Sequence, residues 1–439
     1  MTSTMMMPDV SRTLRRRLRP LYVTAWLQGC VLWYSIEKPY QVSIGFSDQA
    51  ITAATALYII VMAIATLPLG ILADRWSRRG VLHLATCGLV LASLLCGLSH
   101  GFWMYAAGLA AWGLFYAGYA GTYDALVWDV LLEETGTADG FEVWFGRIQR
   151  TEAAALITGT VLCFGVSRIA DLRAEFILTI PVTCCAFISL HLFREPVLHK
   201  AATSALGVHV SQVFGSLAAR NAGWIAACLM FNLVAKLLIF EFWQLWLLPE
   251  RLPDWMLSTA FSVICAGSLL AGQYGGRLRR SAAPAAALMV LAASSGLFAR
   301  IPVVIIAAQA LVITGIIALQ AVLYSYLHQI TDSRIRAGTS SVVSTASMIA
   351  FVPAALGFGA VADGHGVFIA SWFTVVPVAA MGITLVVITL RGTGRHRRVR
   401  VPARKTERSL LDASAVPAVA ALQRGRARNL AAHRRPGHS

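Results

Sequence analysis

Four ionisable side chains stand within or at the edge of long apolar runs: Glu37, Asp124, Lys236 and Glu241. A charge in such a place marks a proton relay or a binding partner for an ion. Lys236 is the sharpest of them, about fourteen residues into a run that starts near Ala222. A cation at that depth costs at least ~2.5–3.5 kcal/mol on insertion scales, so it needs water or a partner. Glu241 follows five residues later, a poor helical spacing for a pair, and Glu37 or Asp124 would have to reach across a cavity. Two readings stay open at this point. Lys236 is a structural ion-pair member that holds parts of the molecule together, or it serves a substrate or a coupling proton. The polar segments hold no nucleophile–base set, metal-ligand spacing or phosphate loop, so the expectation is a non-enzyme with no cofactor and no metal.

The elements that position these charges follow from composition. Of 439 residues, 57% are hydrophobic and only 13% charged, and the mean hydropathy is +0.66. That balance cannot cover a water-facing surface, where about a quarter of residues are charged. A helix crosses the hydrocarbon with ~20 apolar residues, and helices satisfy their own backbone there. Twelve runs qualify: 18–36, 50–70, 81–98, 102–128, 151–169, 174–193, 222–247, 256–275, 283–299, 301–327, 338–360 and 366–390. The first follows an Arg-rich segment but has no small-residue cleavage site, so it reads as retained. With the N-terminus inside, every Lys and Arg falls on an inner segment except Lys38, Arg168, Arg173, Arg251 and Arg300 outside and Lys236 within a span. This is the positive-inside pattern, with both termini cytoplasmic. The net charge of +16 is then topology rather than a nucleic-acid footprint. All eight cysteines lie in predicted spans and read as packing residues.

The spans divide six and six. The expected plan is a basic N-terminus (1–17), a six-helix bundle (18–194), a central cytoplasmic loop (195–221), a second six-helix bundle (222–390) and a basic, disordered tail (391–439). Anionic lipid headgroups are a conceivable partner for that tail. The halves echo each other. GILADRWSRR follows the second span and GQYGGRLRR the eighth, with Gly276 in the place of Asp74.

The first of these loops carries a resemblance. Gly70, Asp74, Arg75, Arg78 and Arg79, between the second and third of twelve spans, resemble the signature loop of the major facilitator superfamily. The likeness extends over 18–390 and implies an all-α membrane protein with twelve transmembrane helices in two six-helix bundles. It implies that Asp74 faces the start of the eleventh span near 337–341, and that Arg78 pairs with Asp129 on the fourth, latching the cytoplasmic side. An acid at a helix C-terminus needs such a partner, because the dipole disfavours it. Ser77 replaces the family's glycine, which is expected to stiffen or shift the turn. The helix of the fourth span, continued from 102 to 133, would be ~48 Å long and would carry Asp129 beyond the hydrocarbon.

The same likeness implies that spans one, four, seven and ten line a central path. Stripes at helical spacing there are Trp26, Cys30, Trp33 and Glu37; Trp112, Tyr116, Tyr119 and Tyr123; Asn232, Lys236 and Trp243; and Gln309, Gln320 and Tyr324. His328 beyond them reads as an interfacial histidine. Hydroxyls on three tyrosines of one face require partners, which a wet cavity supplies. The family's drug–proton antiporters carry an arginine where Leu109 stands and a glutamine where Trp112 stands, and a Gly-Pro run absent from 151–170. The expectation is a monomeric carrier in the cell membrane that works by alternating access. It uses a proton gradient and exports amphiphilic or aromatic small molecules. The alternatives are a proton-coupled importer of a small anion with Lys236 as counter-charge, and a non-transporting sensor or membrane partner.

Overall fold

Each apolar run falls on helical segments, and no strand occurs among the described residues, which are 8–119, 121–137, 141–196, 220–274, 278, 280–330 and 336–393 of a computed structural model. The basic tail lies outside them, as do Gly276 and the side chain of His328. In chain order the helices are α1 (Pro8–Gly29), α2 (Glu37–Ser43), α3 (Asp48–Arg75), α4 (Arg78–Gly97), α5 (Phe102–Tyr119), α6 (Thr122–Thr135), α7 (Phe141–Val166) and α8 (Leu172–Leu192). There follow α9 (Arg220–Phe242), α10 (Asp254–Tyr274), α11 (Ala283–Ser294), α12 (Pro302–Ile330), α13 (Arg336–His365), α14 (Val367–Ala370) and α15 (Trp372–Thr393).

Among the described residues, eight helical stretches are long and apolar enough to cross a membrane: α3, α4, α8, Gly223–Glu250, Asp254–Ala271, Pro302–Leu327, Val342–His365 and Val367–Ile388. The other four predicted runs are helical but fall short for local reasons. Arginines crowd the first half of α1, α7 carries Arg147, Arg150 and Glu152, and Ala283–Phe298 is short. The fourth run corrects the expectation of one continuous rod: α5 ends at Tyr119, and α6 begins after Gly121, whose φ is 76°. Only a residue without Cβ takes that left-handed backbone at little cost. Ser77, where the family has glycine, lies in extended backbone and caps α4, accepting the Gly80 N–H at 2.8 Å.

In the packing, α5 lies between α3 and α4, α8 against α4 and α1, and α12 against α9, α10 and α11. Among the described residues, the most extensive contacts between the first half of the sequence and the second are α3 with α13 and α7 with α10. Between membrane helices, close approach of small residues replaces hydrophobic burial as the source of association. Gly359 of α13 illustrates it, since a Cβ there would lie 2.8 Å from Thr52 Cβ and 3.0 Å from Thr52 Cγ2 of α3. Overpacking of this kind costs about 1–3 kcal/mol, or about five- to 150-fold in an equilibrium. Gly359→Ala is therefore expected to disfavour the closed α3–α13 contact. The readout is alkylation of Cys163, buried where α7 meets α10: it should accelerate in Gly359→Ala and return to the native rate when Thr52→Ala is added.

Candidate functional site

A cavity of about 920 Å³ lies between the two halves. One wall is α5, where Trp112, Phe115, Tyr116 and Tyr119 share a face at helical spacing. Trp112 and Tyr116 meet edge to face at 5.0 Å. A second wall is α7, with Arg150 and Glu152, and a third is α9, with Lys236, Phe240 and Glu241. Gln28, Tyr34 and Tyr58 complete it from α1, the turn after it and α3.

Two carboxyls in this cavity each accept a tyrosine hydroxyl. Tyr119 donates to Glu152 within the first half. Tyr58 of α3 donates to Glu241 of α9 at 3.2 Å, so this bond crosses between the halves. Lys236 lines the cavity with no hydrogen bond or ion pair to any described residue. The three acids considered as its partners are otherwise placed. Glu37 is buried in a pair with Lys38 at 2.9 Å, and Asp124 is exposed and outside the cavity lining. Glu241 holds Tyr58.

The aromatic and amide stripes separate on inspection. Trp112, Tyr116 and Tyr119 line the cavity, whereas Tyr123 is buried behind it and donates to Gln28 Oε1 at 2.7 Å. Trp33 is a core residue, stacked on Phe176 at 5.0 Å with its N–H on Ser93, and Trp26 packs on Cys30, Leu32 and Ala155. The reason is local. Helix α1 ends at Gly29 and a tighter 3-10 turn follows over Leu32–Ser35, which rotates the stripe and turns Tyr34 into the cavity instead. Asn232 donates to the Ile316 carbonyl at 3.2 Å and Gln309 to the Trp243 carbonyl at 2.9 Å, so both amides tie helices together. Gln320 has a buried Oε1 and Tyr324 packs against the main core, both off the cavity lining.

Two polar clusters sit at opposite ends of the molecule. At the Arg-rich end, Arg78 bonds Asp129 of α6 and reaches Asp74 at 3.1 Å. Glu195 accepts from the Ser77 hydroxyl and the Arg78 N–H, both at 2.6 Å, and Arg79 donates to the Phe193 carbonyl at 3.1 Å. Arg75 and Gly70 are exposed. All these partners lie in the first bundle or at the start of the central loop, and 337–341, where Asp74 was expected to face, is only partly described. The Asp129 carboxyl, past the end of the predicted span, is held above its ordinary value. Burial pushes it up, Arg78 pulls it back, and Asp74, Glu133 and Glu195 push it up again.

At the other end the bonds cross between halves. The Lys38 N–H donates to Gln244 Oε1 at 2.7 Å, Gln244 Nε2 donates to the Tyr34 carbonyl at 2.9 Å, and Ser35 and Ser258 hydroxyls meet at 3.2 Å. Cys163 joins the serines and donates its thiol to Glu175 at 2.7 Å. Lys38, expected on an outer loop, is 1% exposed. Its pairing with the adjacent Glu37 is what permits that. Sequence reading missed Arg150 and Glu152, because charges at a span's edge were counted as topology. The helical spacing of Gly146, Arg150 and Ala153 was the available signal.

A sequence model of the family described as Major Facilitator Superfamily matches residues 21–249. No curated protein sequence matches the chain. Among solved structures, a mutant of the nucleoside transporter NupG aligns with a TM-score of 0.69 at 12% identity, over 85% of this chain and 98% of its own. A D-xylose-proton symporter aligns at 0.61 and 13% identity, over 85% and 97%. A bacterial homolog of the human lysosomal transporter Spinster, inward-facing and occupied, aligns at 0.61 and 12%, over 88% and 98%. Such low identities speak for a shared fold alone. The family match itself takes in more than half of the chain, and the protein belongs to the major facilitator superfamily, as a secondary-active membrane transporter rather than an enzyme.

Proposed function

We propose that the protein is a proton-coupled importer of a small organic anion, with Lys236 as the substrate's counter-charge and Glu241 as the proton-carrying group. It works as a monomer through twelve spans in two six-helix bundles, 18–194 and 222–390, with both termini cytoplasmic. The observation that carries this reading is Lys236 on the cavity wall with no described residue bonded to it. A cation kept unpaired in a membrane protein is costly, and a bound anion offsets that cost. The bonds between Tyr34, Ser35, Lys38 and the Gln244–Ser258 region support an outer side that is shut. The cavity meanwhile extends to Gly146 and Arg150 at the inner end of α7. Proton coupling is named in the D-xylose-proton symporter and a nucleoside in the nucleoside transporter, which suit this reading better than drug export.

Export of amphiphilic aromatics has one observation in its favour, the ring-lined α5 wall. Against it, the cavity also holds Lys236, Arg150 and two carboxyls, a poor lining for an apolar body. Proteoliposomes containing the full chain separate the two. With an acid exterior, at least one of labelled benzoate, lactate or succinate should accumulate about tenfold over protein-free vesicles, and an uncoupler should abolish it. Transport of the cationic dye ethidium, with none of the anions moving, would establish the export reading instead.

A further inference from the structure

A second pocket, of about 480 Å³, opens on the flank of the molecule between the start of α4 and the end of α8. Its lining includes Trp76, Arg79, His83, Leu84, Cys87 and His191, three basic side chains and no acid. The bonds around it explain why these charges are left over. Arg78 is turned inward to Asp129 and Asp74. Glu195, the nearby acid, is spent on capping α4, through the Ser77 hydroxyl and the N–H groups of Arg78 and Arg79. Arg79 gives one nitrogen to the Phe193 carbonyl, and the rest of its guanidinium bonds no described residue. One turn further, the His83 ring lies flat on Phe187 of α8, centroids 5.7 Å apart at 12°. His191 stands one turn beyond Phe187 on the same helix.

The pocket is amphiphilic along its length. Its polar rim holds Arg79, His191 and Trp76, the last 55% exposed and of a residue type that favours membrane interfaces. Towards the middle of α4 the surface turns apolar and outward-facing through Leu84, Cys87 and Leu91. An occupant that satisfies both ends has an anionic head and a hydrocarbon tail. Basic pockets between membrane helices take such headgroups, and a guanidinium binds phosphate oxygens in pairs.

We propose that Arg79, His83 and His191 bind the phosphate of an anionic phospholipid whose acyl chain runs along Leu84, Cys87 and Leu91. The site does not depend on which solute the central cavity carries.

Cys87 provides the assay, and the exposed Cys184 and Cys185, outside the pocket lining, provide its control. The purified full chain in neutral detergent is treated with N-ethylmaleimide and modification at each cysteine is followed by mass spectrometry. Added phosphatidylglycerol should slow alkylation of Cys87 about fivefold when its concentration is a few times the dissociation constant, with Cys184 and Cys185 unchanged. Phosphatidylcholine should not protect, and Arg79→Gln should remove the protection. His191→Gln, an exposed and milder change, should weaken it without loss of thermal stability. Equal protection by phosphatidylcholine, equal slowing at Cys184, or no protection would overturn the proposal. Protection by inorganic phosphate as strong as by lipid would make this a free-phosphate site and overturn the lipid assignment.

Discussion

Lys236→Ala is expected to weaken binding of the transported anion, whichever of benzoate, lactate or succinate it is, by about ten- to a hundredfold, the ~1.5–3 kcal/mol of a hydrogen bond to a charged group, and to leave the fold intact. The two roles open for this lysine differ in what its removal does to stability. A lysine that holds the halves by a buried ion pair leaves its acid uncompensated when removed, which costs about 3–5 kcal/mol. No described acid pairs with Lys236: Glu241 lies about 140° further around α9 and accepts from Tyr58 instead. The melting temperature in detergent should therefore stay level or rise, because a desolvated cation is gone. Lys236→Arg keeps the charge but spreads it over a planar fork, so it should retain part of the binding. Quenching of cavity tryptophan fluorescence, with Trp112 in the wall, measures the affinity. Falling stability with unchanged affinity would restore the ion-pair role.

What could be read without coordinates depended on how far a signal extends along the chain. Apolar runs of about twenty residues announce spans almost independently of context, and each predicted run coincides with helical structure. The Arg78–Asp129 bond was expected from the resemblance of the Gly70–Arg79 loop to its family's signature, a short motif whose spacing is local to the chain. Side-chain direction was harder, since it depends on unbroken helical phase. The phase was lost twice, at Gly29 before the 3-10 turn and at Gly121 with its positive φ. The first loss moved Trp33 into the core and brought Tyr34 to the cavity. The second left Asp124 exposed instead of facing inward. Charges were misread where two explanations share one residue type. Arg150 and Glu152 at the end of α7 look like topology signals, and Lys38 looked like an outer-loop lysine until Glu37 was found against it. Nothing in one-dimensional spacing distinguishes these, because the distinction lies in which face of another helix they meet.

Glu241→Gln is expected to uncouple transport while preserving exchange. Of the carboxyls considered for the proton, Glu37 is neutralised by Lys38 and Asp124 is away from the cavity. Glu241 is 9% exposed, borders the cavity, and accepts a hydrogen bond across the halves from the Tyr58 hydroxyl. Gaining or losing a proton there changes the charge at a contact that must break when the halves rearrange. Glutamine keeps a carbonyl oxygen for the Tyr58 hydroxyl, so the contact survives in one fixed, neutral state. With one proton per anion, a one-unit pH gradient supports up to about tenfold accumulation, about 1.4 kcal/mol. In the variant carrier-dependent accumulation should fall to about onefold over protein-free vesicles, while counterflow of the labelled transported anion against the same anion unlabelled continues at near the native rate. Tyr58→Phe separates the bond from the proton: it should alter exchange rate and leave the accumulation ratio. Glu152→Gln is the contrasting case, because Glu152 takes its tyrosine from the same half and should keep coupling. If Glu152→Gln abolished accumulation and Glu241→Gln did not, the coupling proton would sit on α7, bonded through Tyr119, and the cross-half bond would be a structural tie alone.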